Sequence, residues 1–527
     1  MTQFYSIMKN NFLHQFKSLE QVAGKFDKIS NLNKQDLLST FKKTDLPGKK
    51  NILQYHDLLI FICAYPGDTL TKQLAEEELK RITAFGKQHA LNEIHPENEG
   101  LPFTNTTTRF SPDFLNWLIQ HNDLEVEFDS FYNPTLSLND ILNITLPATL
   151  KAETTAGLNN TDLLEVLHIK PGQYVPFLLG QLEQLNDQPL LKELFIERMD
   201  LYVKLVPKNV FFSRAYNRLP VQKIYFHQDL LKQFDYNHLL NSPLNAARIP
   251  KKDERLELCK VIKNSMALTV REIDPATFLK EDTIRLYDLE RGLTFAIYSM
   301  IAERQLPLET YFGFTFFKNG FPVSYGGIWV FGCMGKIGLN VFEPFRSGES
   351  GYVLCQLLRV LKQTLGVSYV EIEPYQFGLD NPGGITSGAF WFYYKYGFRP
   401  VDPELKQLAK IEYAKIKSRK NYRSSSKTLL QFTESNIALN LGKKIPLNVL
   451  TVTTKVLKHI KKEWHHNYQS AKQQAVEKFC KKVQLEANTL SNTERNILED
   501  LALWAVSMKI NTADQLQLMK QMVVTKT

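Results

Sequence analysis

Two groups of residues in this chain have the types and spacing to do chemistry. The first is Val341-Phe342-Glu343-Pro344-Phe345-Arg346-Ser347-Gly348-Glu349-Ser350-Gly351, which reads as a strand end, a Gly/Ser turn and a helix start. The first turn of a helix exposes backbone N–H groups with no intrahelical acceptor, and this favours a phosphate-bearing ligand. Gly348 and Gly351 allow close backbone approach, while Arg346, Ser347 and Ser350 supply side-chain donors. Glu349 brings a negative charge into the turn. It either points away from a bound phosphate or favours the helix start through the macrodipole. The plainer alternative is a strand-to-helix turn with a capping Ser and an acidic first turn.

The second group is Gly388-Ala389-Phe390-Trp391-Phe392-Tyr393-Tyr394-Lys395-Tyr396-Gly397-Phe398, together with the carboxylates that precede it. A phenol stays protonated at neutral pH and can donate to a developing anion, so Tyr393 is a candidate general acid; it is otherwise a core aromatic with one wet end. In Tyr369-Val370-Glu371-Ile372-Glu373, Glu371 and Glu373 alternate with apolar residues and share one face of a strand. Two carboxylates in a partly buried cleft push one pKa upward, toward a general base's range; on a half-exposed strand they are surface residues. Glu343, at the end of the preceding strand, is a third candidate base. Cys333 and Cys355 flank the loop but have no His near them in sequence, and they read as buried apolar residues.

Strands and helices must position these groups. Between residues 266 and 432 the pattern suggests a strand at Met266–Glu272, a long amphipathic helix at Ile284–Leu306 and a hairpin of Tyr311–Phe317 and Pro322–Phe331 about Asn319-Gly320. A strand at Lys336–Phe342 follows. Val353, Leu354, Leu357, Leu358, Leu361 and Leu365 keep helical spacing up to a Gly366 cap. Then come a strand at Tyr369–Tyr375, a helix at Ser387–Tyr396, a strand from Phe398 and a last strand at Thr428–Phe432. Residues 1–260 read mainly as helices with polar breaks, including Leu74–Phe85 and Leu178–Leu205, and carry no motif of chemical interest. From about Pro446 onward the chain again reads as helical, with a Ser491-x-x-Glu494 capping box.

This order of elements, with the Arg346–Gly351 turn and the Tyr393–Phe398 segment, resembles the core of the GNAT (general N-acetyltransferase) acyltransferases over about residues 266–432. The resemblance implies an α/β fold with a GNAT-like mixed central sheet, flanked by a mainly helical N-terminal region and a C-terminal helical extension. The corresponding domains are 1–260, 261–440 and 441–527. In that family the pyrophosphate of acyl-CoA binds backbone amides through a Q/R-x-x-G-x-G/A signature. Arg346 and Gly351 hold its first and last positions here, Glu349 replaces the middle glycine, and Gly348 lies one residue early.

By resemblance, Val341, Phe342, Arg346, Ser347, Gly348, Ser350, Gly351 and Asn381 bind acetyl-CoA or another acyl-CoA as co-substrate. Tyr393 protonates the departing thiolate, and Glu371, Glu373 or Glu343 serves as base. The expected reaction is transfer of an acyl group to a small-molecule or peptide amine. A non-catalytic module of the same fold and an aminoacyl-tRNA-dependent transferase remain alternatives.

At 527 residues the chain holds more than one domain. The five cysteines are odd in number and lack CxxC spacing, which argues against both a disulfide framework and a zinc site, so no metal is expected. Met1-Thr2-Gln3-Phe4-Tyr5 lacks a basic start and an apolar signal region, and no apolar run reaches membrane length. A reduced, cytoplasmic protein is expected. Residues 404–427 and 455–482 each carry eight basic and two acidic side chains, so the rest of the chain sums to −3 against a total of +9. Such runs are solvated faces or contacts for RNA, an acidic protein or an anionic lipid surface.

Overall fold

The computed structural model describes residues 2–46, 49–88, 99–121, 123–151, 157–186, 188–306, 308–442 and 446–525. Its architecture is mixed α/β and divides into two units that do not strictly follow chain order. The first comprises Met1–Leu230, Leu256–Thr277 and Phe317–Pro322; the second comprises Leu231–Arg255, Phe278–Phe316 and Val323–Thr527. The expected boundary at 260/261 falls inside the helix Lys252–Leu268.

In the first unit, α1 (Thr2–Ala23), α2 (Lys28–Phe41), α3 (Lys49–Ala64) and α4 (Thr69–Gln88) bury Phe16, Leu38, Tyr55 and Ile82. Leu74–Phe85 lies within α4, as its spacing predicts. Strand β1 (Thr106–Thr108), helix α5 (Pro112–Ile119), strand β2 (Leu124–Phe131) and helices α6 (Leu138–Thr145), α7 (Asn160–Val166), α8 (Tyr174–Glu183) and α9 (Pro189–Met199) follow. Strand β3 (Leu201–Pro207) then pairs antiparallel with both β1 and β2. The stretch Leu178–Leu205, which reads as helical, is thus the end of α8, α9 and most of β3. Pro189 starts a new helix, and Asp200 in the left-handed region ends it.

In the second unit the chain passes through α10 (Tyr236–Asn241); α11 (Lys252–Leu268) and α12 (Asp274–Thr277) follow, their residues from Leu256 belonging to the first unit. Strands β4 (Arg285–Asp288), β5 (Leu293–Ser299), β6 (Thr310–Lys318), β7 (Phe321–Phe331) and β8 (Met334–Val341) come next, then α13 (Ser350–Thr364) and β9 (Tyr369–Ile372). Helices α14 (Pro382–Ser387) and α15 (Ala389–Lys395), strand β10 (Arg399–Pro400), helices α16 (Pro403–Ser418) and α17 (Ser426–Gln431), and strand β11 (Ile437–Asn440) complete the sheet region.

The sheet has eight strands in the order β10-β11-β9-β8-β7-β6-β5-β4. Pairs β4–β5, β7–β8, β9–β11 and β10–β11 are antiparallel, whereas β8 and β9 run parallel. A parallel neighbour requires a long crossover, and α13 supplies it. The β6–β7 turn is Asn319-Gly320, both at positive φ (47° and 86°), matching the twist of the strands. Gly326 lies on β7 beside β8, and a Cβ there would collide with the Gly338 carbonyl and the Phe314 ring.

Helices α18 (Val449–Trp464), α19 (Tyr468–Val483), α20 (Asn492–Ser507) and α21 (Ala513–Thr525) form a bundle with its own apolar core, including Trp464, Phe479, Leu501 and Val523. The Ser491/Glu494 capping box at the start of α20 is formed on both sides.

Three further expected elements differ in type. Met266–Glu272 is not a strand. Met266 lies in the last turn of α11, whose Leu258, Val261, Ile262 and Met266 recur on one buried face, and the turn after Leu268 places Val270 at φ 53°. Ile284–Leu306 is not a helix but the hairpin β4–β5, turned by Arg291 and Gly292 at φ 65° and 69°. The apolar residues there fit a helical spacing, yet Leu293, Phe295 and Ile297 also alternate, and pairing along the sheet wins. Thr428–Phe432 is helical because Ser425 caps α17; the strand that completes the sheet lies a few residues later, at β11.

Candidate functional site

Strand β8 leads into the loop. Val341 is its last residue, and the Phe342 N–H still donates to the Val323 carbonyl at 3.0 Å. Pro344 opens a single 3-10 turn, Glu343–Phe345, and buried Phe345 anchors it. Gly348 N–H donates to the Phe345 carbonyl at 2.9 Å, and Ser350 Oγ to the Arg346 carbonyl at 3.2 Å. Arg346 and Ser347 are exposed, and Arg346 Nε reaches the Val341 carbonyl at 3.3 Å. Glu343 is exposed as well. Among the described residues, none accepts a hydrogen bond from the Ser350, Gly351 or Tyr352 amides.

The helix behind this loop is fixed on most sides. Val353, Leu354, Leu357, Leu358, Val360 and Leu361 are buried, at roughly 1.5–3 kcal/mol each. Arg359 is also buried. It pairs with Glu290 at 2.9 Å and donates to the Ser242 and Pro243 carbonyls at 2.9 and 2.7 Å. An arginine with that many acceptors fixes the axis of α13, and with it the direction of the free amides.

Glu349, the residue just before α13, is 2% exposed. Its Oε1 accepts from Arg291 Nε at 3.0 Å, from Arg291 Nη2 at 2.8 Å and from the Leu231 amide at 2.9 Å. The carboxylate does not cap the helix. Its charge is balanced by a guanidinium, so the expected repulsion of a phosphate is largely cancelled.

Beside this loop, β8 and β9 part. Their register runs Met334↔Tyr369, Gly335↔Val370 and Lys336↔Glu371, and stops there, whereas β8 stays paired with β7 as far as Val341. The cause is Pro374, which lacks an N–H and starts the 3-10 turn Pro374–Phe377. One side chain bridges the gap: Gln376 Oε1 accepts from the Leu339 amide at 3.3 Å.

Glu371 and Glu373 share a face with Lys336, as the alternation predicts, but each carboxylate has its own partner. Glu371 accepts from Asn436 Nδ2 at 2.9 Å, and Glu373 pairs with Lys336 at 3.0 Å. Burial and the nearby Glu371 carboxylate raise the Tyr369 phenol above the usual tyrosine range. Tyr393, on α15, is 4% exposed and edges against Phe392 and Phe398. Burial alone raises its phenol well above the ordinary value, so it stays protonated. Among the described residues, no hydrogen bond or ion pair joins Tyr393 to Glu343, Glu371 or Glu373. Asn381 is a helix cap: its side chain accepts from Gly384 N–H at 3.2 Å and donates to the Tyr375 carbonyl at 2.9 Å. The helix expected at Ser387–Tyr396 is α15, which begins at Ala389; Gly388, in the left-handed region, separates it from α14.

The structure thus gathers Val341, Phe342, Glu343, Arg346, Ser347, Gly348, Ser350 and Gly351 at one turn. Glu371 and Glu373 stand on the neighbouring parallel strand and its exit. Sequence reasoning missed Arg291, Arg359 and Gln376. Arg291 was hidden inside an expected helix, and nothing in the sequence couples Gln376 to Leu339.

The basic stretches are also visible. On α16, Glu412 is buried and accepts from Lys415, Tyr422 and Ser424, ordering the following turn. On α18, Lys455, Lys458 and Lys461 are exposed. Among the described residues there is no cluster of His, Cys, Asp and Glu able to hold a metal ion, and no helix long and apolar enough to cross a membrane. Among protein-family models, curated proteins and solved structures, none matches this chain.

Proposed function

We propose that the second unit is a GNAT-like acyltransferase that takes an acyl group from acyl-CoA and delivers it to an amine. The observation that carries this reading is the parting of the parallel strands β8 and β9 directly beside the acceptor-free amides of α13. A diphosphate fits the Ser350 and Gly351 amides, with Arg346 and Ser347 reaching it from the exposed side of the turn. The pantetheine arm carries amides, and these match the strand groups that β8 leaves unpaired toward β9. Gln376 now presents a side-chain amide to one of them, at Leu339, so it must swing aside as the arm enters.

In the reaction the acceptor amine loses a proton to Glu371 or Glu373 and attacks the thioester carbon. The C–S bond breaks, and the CoA thiolate takes the Tyr393 proton. Burial keeps that phenol protonated until then. Most of the rate comes from positioning and from charge stabilisation.

Native mass spectrometry of freshly purified protein tests the reading. A retained mass of coenzyme A or an acyl-CoA is the expected result. Its absence, together with no rise in melting temperature on adding acetyl-CoA, removes the acyl-CoA reading.

A second reading, an aminoacyl-tRNA-dependent transferase or a non-catalytic module that contacts nucleic acid, draws on the exposed Lys455, Lys458 and Lys461 of α18. Binding of tRNA that weakens steeply with salt supports it.

A further inference from the structure

One further polar group, the hydroxyl of Tyr396, stands at the head of α13. Tyr396 follows α15 and is 5% exposed, packed among Phe234, Tyr236 and Phe392. Its hydroxyl lies against Gly351, where an added Cβ would collide with Tyr396 Oη. No described residue hydrogen-bonds that hydroxyl. The ring is buried, yet the hydroxyl oxygen is not sealed from solvent, so it borders a space that a polar ligand atom can enter. Here the unpartnered hydroxyl is directed at the first turn of a fifteen-residue helix whose own leading amides also lack acceptors.

We propose that Tyr396 Oη donates a hydrogen bond to a phosphate group bound at the first turn of α13. The anion site stands on this geometry; the identity of the ligand as the diphosphate of a nucleotide thioester rests on the acyl-CoA reading above. Burial pushes the Tyr396 phenol up to about 12, so at neutral pH it is a donor. Glu349, the carboxylate nearest in sequence, has its Oε1 engaged by Arg291 and the Leu231 amide. Glycine at 351 has a specific purpose here, since any side chain would displace the Tyr396 ring.

The experiment compares full-length wild type, Tyr396→Phe and Tyr394→Phe by calorimetric titration. Tyr394 is an equally buried tyrosine facing Arg399, and its variant controls for loss of a phenolic hydroxyl in this region. Inorganic pyrophosphate, coenzyme A and pantetheine are the probes. Tyr396→Phe is expected to weaken pyrophosphate and coenzyme A roughly tenfold, as for loss of one hydrogen bond to a charged group, and to leave pantetheine unchanged. Tyr394→Phe is expected to match wild type. The proposal is overturned by equal pyrophosphate affinity in Tyr396→Phe and wild type, by no pyrophosphate binding in wild type at millimolar concentration, or by an equal loss for pantetheine. Tyr396-dependent pyrophosphate binding without coenzyme A binding supports the anion site and removes the acyl-CoA reading.

Discussion

Replacing Glu349 with Gln separates two views of this residue. As described, the carboxylate is a buried counter-ion, 1% exposed in its side chain, against an Arg291 that is 15% exposed. Removing one partner of a buried pair costs about 3–5 kcal/mol, because the other charge keeps its desolvation. Arg291 retains some access to water, so the low end, about 3 kcal/mol, applies here. For a large domain each kcal/mol lowers the melting temperature by about 2 °C, giving a fall of about 6 °C. Far-UV circular dichroism melts measure it, and calorimetry with coenzyme A supplies the second readout. The carboxylate faces Arg291 rather than the mouth of α13, so coenzyme A binding is not expected to tighten. An unchanged melting temperature refutes the ion-pair argument. Tenfold tighter binding of coenzyme A refutes the orientation, since it shows the carboxylate standing where a phosphate belongs.

Other outcomes follow from the same structure. Lys34 is 1% exposed, donates to the Lys25 carbonyl at 2.7 Å, and is lowered by burial from 10.5 to about 8. Between those values the unfolded chain binds a proton that the folded chain does not, so Lys34 makes stability rise with pH by about 3 kcal/mol across that window. Lysine-labelled NMR should find one side chain titrating near 8, and a set that all titrates near 10.5 contradicts this. Gly326→Ala should cost about 3 kcal/mol or yield insoluble protein, because the Gly338 backbone cannot yield; a normal melt dismisses that packing. Glu371→Gln or Glu373→Gln should reduce acetyl transfer by about 10²–10⁴ with coenzyme A affinity kept, and full activity in both clears these carboxylates of the base role. Changing Lys455, Lys458 and Lys461 together to Ser should shift stability by only about 0.5 kcal/mol. It should also lower the salt slope of single-stranded RNA binding by roughly 2, and an unaltered slope takes α18 out of any nucleic-acid contact.

How much of this was legible depended on whether the cause was local. The β6–β7 hairpin was, because Asn319-Gly320 carries its own turn geometry. So was α13, whose leucines recur on one face and whose start is marked by Gly348 and Gly351. The β4–β5 hairpin was not, since Leu289, Leu293 and Ile297 satisfy a helical period as readily as an alternating one, and only pairing within the sheet decides. The end of α11 misled in the same way: Met266-Ala267-Leu268-Thr269-Val270 looks like a strand, but the helix begun at Lys252 runs on to Leu268 and gives way to a turn at Thr269 and Val270. Within the candidate site, residues contiguous in the chain were found together, while partners supplied from elsewhere were not. Arg291 meets Glu349 across 58 positions, and Gln376 meets Leu339 across 37. Tyr396 stood inside the quoted aromatic segment, but only the approach of Gly351 distinguishes its hydroxyl from that of Tyr393.

A crystal structure of the protein grown with coenzyme A measures directly whether α13 and the parted strands receive one continuous ligand. The expected density has the diphosphate against the Ser350 and Gly351 amides and the pantetheine arm between β8 and β9, with Gln376 displaced from Leu339. Coenzyme A bound elsewhere, or Gln376 still bonded to the Leu339 amide beside an empty gap at saturating ligand, contradicts it.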